Sequence, residues 1–297
     1  MLDTELRDWD DLAQNIGAGI APLVTKNQRV CFLPGRLFTG LPLHLARMPD
    51  GSFLLEHHEV NYAPNMATLL GQPKLDNQQT GYALVTVTKE NDSADFRERA
   101  LSTSSTLKSR LEALGETVWL RQEEATHQSV LYILPATREI LFVCHGHYAG
   151  PTNGYGICLA DSGHLPPPTL AIEESPDLAR FLLTWADLEN LTATPTIVVS
   201  IGCSSGLTLV APGGVRYGLE QTLFQTGTCS IISPLWDVEQ STALEWLGLF
   251  YKARGDNSTG TVAAAWQRAT LEMKARGLHP YFWAPFICNG SIFTEEL

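Results

Sequence analysis

The sequence contains few basic residues and no cluster of them. Lys and Arg total 20 against 32 Asp and Glu, which gives the 297-residue chain a net charge of −12. Proteins that follow the phosphate backbone of DNA or RNA need clustered Lys and Arg. This composition therefore argues against nucleic acid as a direct partner.

Long hydrophobic runs are missing as well. No stretch approaches the roughly 20 apolar residues that cross a membrane. The segment from Met1 to Asp11 is acidic and lacks the apolar run that follows a basic start in a secretory signal. We therefore expect no membrane association and a cytoplasmic location.

Cysteine is sparse, and its spacing does not fit a structural zinc site, because no Cys-x-x-Cys pair is present. The six cysteines are Cys31, Cys144, Cys158, Cys203, Cys229 and Cys288. Thiols stay reduced in the cytoplasm, so free cysteines are expected.

Motifs of phosphate-binding loops are missing too, since neither GK[ST] nor GxGxxG spacing accompanies Gly213 and Gly214. We expect no cofactor and no metal.

Apolar runs separated by helical patterns predict an α/β fold. Three runs typical of fully buried strands lie at 139–144, 196–201 and 229–236. Helical patterns cover 217–225, 239–253 and 261–276. Near-continuous apolar strands alternating with helices indicate a mostly parallel sheet flanked by helices on both faces.

Residues 1–80 show a different pattern of predicted secondary structure. Short strands are predicted at 29–33, 51–56 and 59–62, tied by turns that contain Pro and Gly. We therefore expect a smaller β-rich N-terminal subdomain over 1–80, packed on an α/β core over 81–297.

Two of the predicted buried strands end in residues suited to a catalytic pair. One runs into His145 and the other ends just before Cys203. Because the carboxyl ends of parallel strands share one edge of a sheet, neighbouring strands would bring these side chains together. A thiol with a pKa of about 8.5 is only a few per cent ionised at neutral pH and needs a base such as imidazole to become a good nucleophile. His145 is therefore predicted as the general base and Cys203 as the nucleophile.

A glycine beside the histidine suits an oxyanion hole. Gly146 has no side chain to block its backbone N–H, and the N–H of Cys203 supplies a second donor. These groups complete an acyl-transfer site.

Two alternatives to this catalytic site stay open at this point. Cys203 could be a small buried residue at the end of a strand. His145 and His147, next to Cys144, could instead hold a zinc ion for metal-dependent hydrolysis.

Several short segments, in this order, resemble CHAT domains, which are caspase-like cysteine peptidases related to caspases and separase. The segments are 29–44, 53–56, 60–64, 183–188, 234–238 and 279–286. The resemblance covers nearly the full length and implies a caspase-like fold, with His145 as the histidine of the His-Gly motif and Cys203 as the nucleophile. Gly202 before the cysteine and Ser204 to Gly206 after it depart from the Ala and the Glu-Thr-Gly that the family often has. The residues on either side of Cys203 look closer to those of separase.

The resemblance also implies where a substrate would bind. In caspase-like folds the pocket for the P1 residue is lined partly by the strand after the cysteine helix, which here ends at Trp236 and Asp237. Resemblance to separase implies a carboxylate that holds a P1 arginine, supplied by Asp237 or Glu239. Gln240 stands where separase-like sequences tend to have a further acid. Cleavage after Arg or Lys is therefore expected.

These features together predict a cysteine endopeptidase that cleaves a specific partner protein in trans. Because nearly the whole chain matches the CHAT pattern, the activating signal is expected to come from another protein, an activator or a sensor. Resemblance to bacterial members implies a role in antiviral defence or programmed cell death.

Two further hypotheses concern binding. The Pro-rich stretch 162–177, between the two catalytic strands, is either an activation or partner-binding element or a tolerated surface insertion. The alternative to the peptidase as a whole is a catalytically silent, caspase-like module that binds an extended peptide.

Overall fold

A computed structural model of the chain describes residues 2–25, 28–35, 38–70, 79–148, 154–160, 181–203, 209–210, 216–255 and 260–291. The predicted loop at 162–177 lies outside the described residues, as do Ser204 to Gly206 and the glycines at 213 and 214.

The strands of the described residues all lie between residues 30 and 290. They are β1 (Val30–Phe32), β2 (Val60–Tyr62), β3 (Gly81–Thr86), β4 (Thr117–Arg121), β5 (Thr137–Val143), β6 (Gly146–Tyr148), β7 (Tyr155–Cys158), β8 (Leu182–Leu183), β9 (Ile197–Ser200), β10 (Leu209–Val210), β11 (Arg216–Tyr217), β12 (Ser230–Pro234) and β13 (Phe286–Gly290). Eight of them form the central sheet in the order β1-β2-β13-β12-β9-β5-β3-β4, and β6, β7 and β8 form a small sheet of their own.

Helices connect and flank these strands. They are α1 (Leu2–Ile20), α2 (Leu54–His57), α3 (Met66–Leu70), α4 (Ala94–Glu112), α5 (His127–Ile133), α6 (Trp185–Leu188), α7 (Leu219–Thr226), α8 (Gln240–Arg254), α9 (Val262–Ala275) and α10 (Pro280–Trp283). Side-chain caps begin the longer ones: Ser93 accepts the N–H of Phe96 at 3.1 Å before α4, and Thr261 accepts the N–H of Ala264 at 2.9 Å before α9. Within the described ranges, no helix is both long and apolar enough to cross a lipid bilayer.

Neighbouring strands of the central sheet are parallel, except for the antiparallel pair β12 and β13. This confirms the predicted mostly parallel α/β sheet. The chain enters β3, β5, β9 and β12 from the same side, so their carboxyl ends lie at one edge. In sheets of this kind that edge is where binding and catalytic groups collect.

Both faces of the sheet are buried, as the apolar runs predict. In β5, Leu141 and Val143 pack in a hydrophobic cluster with residues of α4, α8 and α9. Ile140 and Phe142, which alternate with them, pack in a second cluster with residues of α5 and α7. Because successive side chains of a strand point to opposite faces, two covered faces require apolar residues at every position.

Residues 1–80 contribute to this same sheet. β1 and β2 pair in parallel and β2 lies beside β13, while α1, α2 and α3 account for most of the other regular structure before residue 80. The division into a subdomain at 1–80 and a core at 81–297 stays a prediction.

The strand predicted at 51–56 is wrong, because Leu54–His57 forms the helix α2. The Glu56 carboxylate accepts the N–H of Phe53 at 2.7 Å, which caps the first turn. Leu54 and Leu55 are both fully buried although they are adjacent. An alternating strand with one covered face would not bury both of them.

Trp246 lies within the larger hydrophobic cluster and offers a test of its packing. Its ring stacks on Phe286 with the centroids 4.1 Å apart, and its Nε1 donates to Thr270 Oγ1 at 3.2 Å. We expect Trp246→Ala to lower the free energy of unfolding by about 3–5 kcal/mol, because the packing is lost and a cavity remains.

The matched control is Tyr132→Ala, since Tyr132 is 84% exposed. This change should alter the free energy of unfolding by less than about 0.5 kcal/mol. Urea unfolding followed by circular dichroism measures both variants, and equal losses would contradict the prediction.

Candidate active site

The candidate site lies where the carboxyl ends of four adjacent strands meet. β12, β9, β5 and β3 are neighbours in this order. The segments that follow them carry Asp237, Cys203, His145 and Asp92, respectively. Strand order therefore brings the predicted nucleophile and the predicted base to the same edge of the sheet.

The segments that carry His145 and Cys203 are in direct backbone contact. A Cβ added at Gly146 would lie 2.2 Å from the carbonyl oxygen of Cys203, and one added at Gly202 would lie 3.1 Å from the nitrogen of Gly146. Such a Cβ at Gly146 would clash with the backbone. Glycine at 146 therefore lets the two segments approach more closely than any residue with a side chain allows.

His145 and Cys203 also line one small cavity. The rest of its wall is mostly apolar and includes Phe96, Val143 and Val238. Both His145 and Cys203 are half-buried, so each retains some contact with solvent. The structure thus brings together the two residues that the sequence predicts as a pair.

His145 faces a carboxylate that the sequence analysis missed. Its Nε2 lies 2.9 and 3.1 Å from the two carboxylate oxygens of Asp92, in the turn between β3 and α4. Asp92 stands 53 residues before His145, so no local motif connects them. The signal in the sequence is its position a few residues after the apolar run of β3, which becomes informative once β3 is known to lie beside β5.

The Cys203 thiol lies in surroundings that disfavour its ionisation. Burial raises the pKa of Cys203 above its ordinary value, and the negative charge of Asp237 raises it further. Contact with the Val238 carbonyl oxygen, 4.0 Å from Sγ, and the positive charge of Lys89 act in the opposite direction without cancelling the rise. The thiol is therefore mostly protonated at neutral pH and depends on a base to become a nucleophile.

The N–H of Gly146 points away from β7, the strand with which β6 pairs. Cys158 donates its N–H to the carbonyl oxygen of His145 at 2.8 Å, so these two residues form a hydrogen-bonded pair. Hydrogen-bonded and non-hydrogen-bonded pairs alternate in an antiparallel ladder, which makes Gly146 and Ile157 a non-hydrogen-bonded pair. The N–H of Gly146 is thus directed to the other side of β6.

Glu239, one of the three predicted specificity residues, caps a helix. Its carboxylate accepts the N–H groups of Ser241 at 3.1 Å and Thr242 at 2.8 Å at the start of α8. Burial would raise the pKa of Glu239, but the hydrogen bonds from Ser241 and Thr242 outweigh it and lower this pKa to about 2. Both carboxylate oxygens are engaged in this cap.

Asp237 and Trp236, the other two predicted specificity residues, lie beside the nucleophile. Asp237 is exposed, and its charge acts on the Cys203 thiol. Trp236 stacks on Tyr281 with ring centroids 6.2 Å apart and donates from Nε1 to the Tyr281 carbonyl oxygen at 3.0 Å. The Tyr281 hydroxyl in turn donates to the backbone oxygen of Asp237 at 2.7 Å. The two aromatic residues therefore fix the backbone of Asp237.

A metal site at His145 and His147 finds no support in the geometry. Among the residues that the structure describes, no group of three or more His, Cys, Asp or Glu side chains is arranged to hold a metal ion. The Cys144 sulfur contacts the Val85 carbonyl oxygen at 3.6 Å, and burial raises the pKa of this thiol. Cys144 therefore packs against β3.

Structural comparison defines the class of fold. The chain is similar to Saccharomyces cerevisiae separase, seen in a complex with securin, with a TM-score of 0.55 and 12% identity over 89% of this chain. It is also similar to the Arg-specific cysteine proteinase gingipain R, with a TM-score of 0.52 and 9% identity over 81% of this chain. The match spans only 15% of the separase chain and 56% of the gingipain chain. The fold is therefore caspase-like, as predicted.

Residues 9–291 match the family model of the CHAT domain. The chain belongs to the CHAT domain family, which confirms the resemblance read from its short motifs. No protein with curated annotation matches the sequence.

Gly146→Ala tests the contact between the segments that carry His145 and Cys203. The added methyl group would meet the Cys203 carbonyl oxygen, so one segment must shift. We expect a loss of about 1–3 kcal/mol in the free energy of unfolding, as for other overpacked sites. We also expect slower alkylation of Cys203 by iodoacetamide, measured by mass spectrometry.

Gly248→Ala is the matched control, because a Cβ at this position in α8 meets nothing within 4 Å. It should raise the free energy of unfolding by about 0.5–1 kcal/mol, since alanine favours a helix interior. Similar unfolding curves for the two variants would refute the close contact.

Asp237→Asn tests the electrostatics of the thiol. The carboxylate raises the pKa of Cys203, so its removal should lower that pKa and increase the thiolate fraction at any given pH. The rate of Cys203 alkylation, measured from pH 6 to 10, should reach its midpoint at a lower pH in this variant. Asp95→Asn is the control, because its charge is not among those that act on Cys203. An unchanged or higher midpoint in Asp237→Asn would count against the interaction.

Proposed function

We propose that this protein is a cysteine endopeptidase, with Cys203 as the nucleophile and His145 as the general base. The proposal depends on one observation: the two residues line one cavity at the ends of adjacent strands, on segments in direct backbone contact. A cysteine that only filled space would not need a half-buried imidazole beside it. Similarity to the proteinase gingipain R adds support from the fold.

The reaction begins when His145 accepts the thiol proton of Cys203. The thiolate attacks the carbonyl carbon of the scissile peptide bond, a C–S bond forms, and the negative charge moves to the carbonyl oxygen. The N–H groups of Gly146 and Cys203 stabilise this oxyanion, in line with the orientation of Gly146 away from β7.

The intermediate collapses when the imidazolium of His145 donates its proton to the leaving amine and the C–N bond breaks. The product is a thioester between the substrate acyl group and Cys203. A water molecule then attacks the thioester, with His145 again taking a proton, and the thiol is released. No group outside the chain is required for this sequence beyond the peptide and water.

Asp237 is the residue we propose for recognition of a basic P1 side chain. It is exposed beside the nucleophile, and Trp236 and Tyr281 hold its backbone. Glu239 suits this role less, because the cap of α8 occupies its carboxylate. The Arg specificity of gingipain R agrees with this assignment.

The wider proposal is that the enzyme works in the cytoplasm on a partner protein and is switched on by a further protein. Separase forms a complex with securin, which supports a protein partner for this chain. A role in bacterial defence or cell death is part of the same proposal and follows from the family resemblance.

Labelling with peptide electrophiles tests the mechanism without knowledge of the natural substrate. A peptidyl acyloxymethyl ketone with Arg at P1 should modify Cys203, as located by peptide mapping. Cys203→Ala should remain unlabelled while unfolding at the wild-type temperature. Modification of Cys203→Ala to the wild-type extent, or labelling abolished by a chelator and restored by zinc, would show that the mechanism is wrong. A folded wild type that binds such peptides without reacting would favour the silent binding module.

The P1 preference is measured with a second probe that carries Leu instead of Arg. Wild type should react faster with the Arg probe, and Asp237→Asn should lose at least about 10-fold of that preference, since the charged partner of the guanidinium is removed. Glu239→Gln is the matched control and should keep the preference while losing about 1 kcal/mol of stability from the weakened cap. Equal preference in wild type and Asp237→Asn would rule out Asp237 as the P1 determinant.

A further inference from the structure

The carboxylate of Asp92 does more than fill space beside His145. Both of its oxygens lie within 3.1 Å of a single ring nitrogen, Nε2. The Asp92 side chain is only 8% exposed and that of His145 only 19%. An interaction so well shielded from water is worth more than a surface ion pair.

The surrounding backbone holds the Asp92 carboxylate in place. Oδ2 accepts the backbone N–H of Lys89 at 2.7 Å, which closes the turn after β3. The next residue, Ser93, caps the 19-residue helix α4. The positive end of a helix dipole favours a carboxylate at this position. The carboxylate is therefore fixed by the chain around it and does not depend on His145 for its orientation.

The α8 side of the site adds a second contact. The Gln240 side-chain nitrogen lies 3.4 Å from Asp92 Oδ1 and 3.4 Å from His145 Nε2. The amide N–H of Gln240 can donate to Asp92 Oδ1, because a carboxylate oxygen accepts hydrogen bonds. The carboxylate is therefore also contacted from α8.

This contact determines which nitrogen of His145 carries the proton. A carboxylate only accepts hydrogen bonds, so Nε2, which faces both oxygens, is the protonated nitrogen. The unprotonated nitrogen of the neutral ring is then Nδ1. Only Nδ1 is available to accept a proton.

We propose that Asp92 is a positioning residue that holds His145 as the Nε2–H tautomer and leaves Nδ1 to take the Cys203 proton. The inference builds on the proposed function. When Nδ1 accepts the thiol proton, the imidazolium that forms has its Nε2–H directed at Asp92, which stays ionised and stabilises the positive charge. The proton leaves Nδ1 for the amine of the departing peptide, and Asp92 exchanges no proton at any stage.

The environment of the Cys203 thiol explains why His145 needs a carboxylate partner. Burial and the charge of Asp237 both disfavour the Cys203 thiolate. A thiolate–imidazolium pair can form there only if the imidazolium is stabilised. Asp92 supplies that stabilisation from the side of His145 opposite to its basic nitrogen.

The test is the pH dependence of Cys203 alkylation by iodoacetamide in the full chain, followed by peptide mapping. In Asp92→Asn an amide N–H can face Nε2, which favours the tautomer with the proton on Nδ1. The rate at pH 7 should therefore fall by at least about 10-fold, and the midpoint of the pH profile should move to higher pH. Asp92→Glu keeps a carboxylate and should recover part of the rate.

Asp95→Asn is the matched control. Asp95 is a carboxylate in the first turn of the same helix, 72% exposed and paired with Arg99 rather than with His145. Its replacement should leave the alkylation profile unchanged. Thermal unfolding of each variant separates loss of fold from loss of positioning.

Each outcome has a defined meaning. If Asp92→Asn is folded and its profile coincides with wild type, the positioning role is overturned, while a slow His145→Gln variant leaves the proposed function intact. If His145→Gln also matches wild type, the proposed function fails as well. Should Asp92→Asn not fold, Asp92→Ser decides, because its hydroxyl can still accept the N–H of Lys89 but carries no negative charge. A slower and shifted profile then supports the proposal, and a wild-type profile overturns it.

Discussion

The candidate site depends on one steric constraint, the backbone contact between the segments after β5 and β9. Gly146 meets the carbonyl of Cys203 at a distance that leaves no room for a Cβ. Parallel strands alone bring residues to the same edge of a sheet, but they leave neighbouring loops free to diverge. The close approach converts a shared edge into a defined arrangement of thiol, imidazole and backbone N–H groups.

Two carboxylates flank this arrangement of thiol and imidazole, one beside each residue. On one side the Asp237 carboxylate opposes the Cys203 thiolate, and on the other the Asp92 carboxylate faces the ring nitrogen of His145. The two charges have opposite effects on proton transfer between the residues that lie between them. If a cationic substrate side chain neutralised Asp237, the balance would favour the thiolate, so recognition and activation would be linked through one group.

The strands that are buried on both faces were the elements most readily predicted from the sequence. The runs that became β5, β9 and β12 could be recognised because a strand covered on both faces must be apolar throughout, and the residues at their ends followed directly. The strand prediction at 51–56 is wrong because the Glu56 carboxylate caps a helical turn over Leu54–His57, and the same residues by their types are also compatible with a short strand. Asp92 cannot be assigned to the site from sequence because its partner lies 53 residues away and the two are brought together only by the pairing of β3 with β5. Glu239 illustrates the same limit, since a carboxylate near a predicted pocket and a carboxylate that caps a helix look alike in sequence.

Trp236 has a further consequence, which concerns the order of events during synthesis. Its ring contacts Trp9 of α1 at 5.6 Å and Tyr281 of α10 at 6.2 Å, so the first and the last helices described meet beside Asp237. A ribosome-bound chain whose residues near 281 are still inside the exit tunnel lacks the hydroxyl that holds the backbone of Asp237. The backbone of Asp237 therefore gains this hydrogen bond only after the residues near 281 have left the tunnel, whereas Cys203 and His145 emerge earlier. If Asp237 recognises the substrate as proposed, a nascent chain would carry the proposed nucleophile and base before the residue that selects a target is held in place.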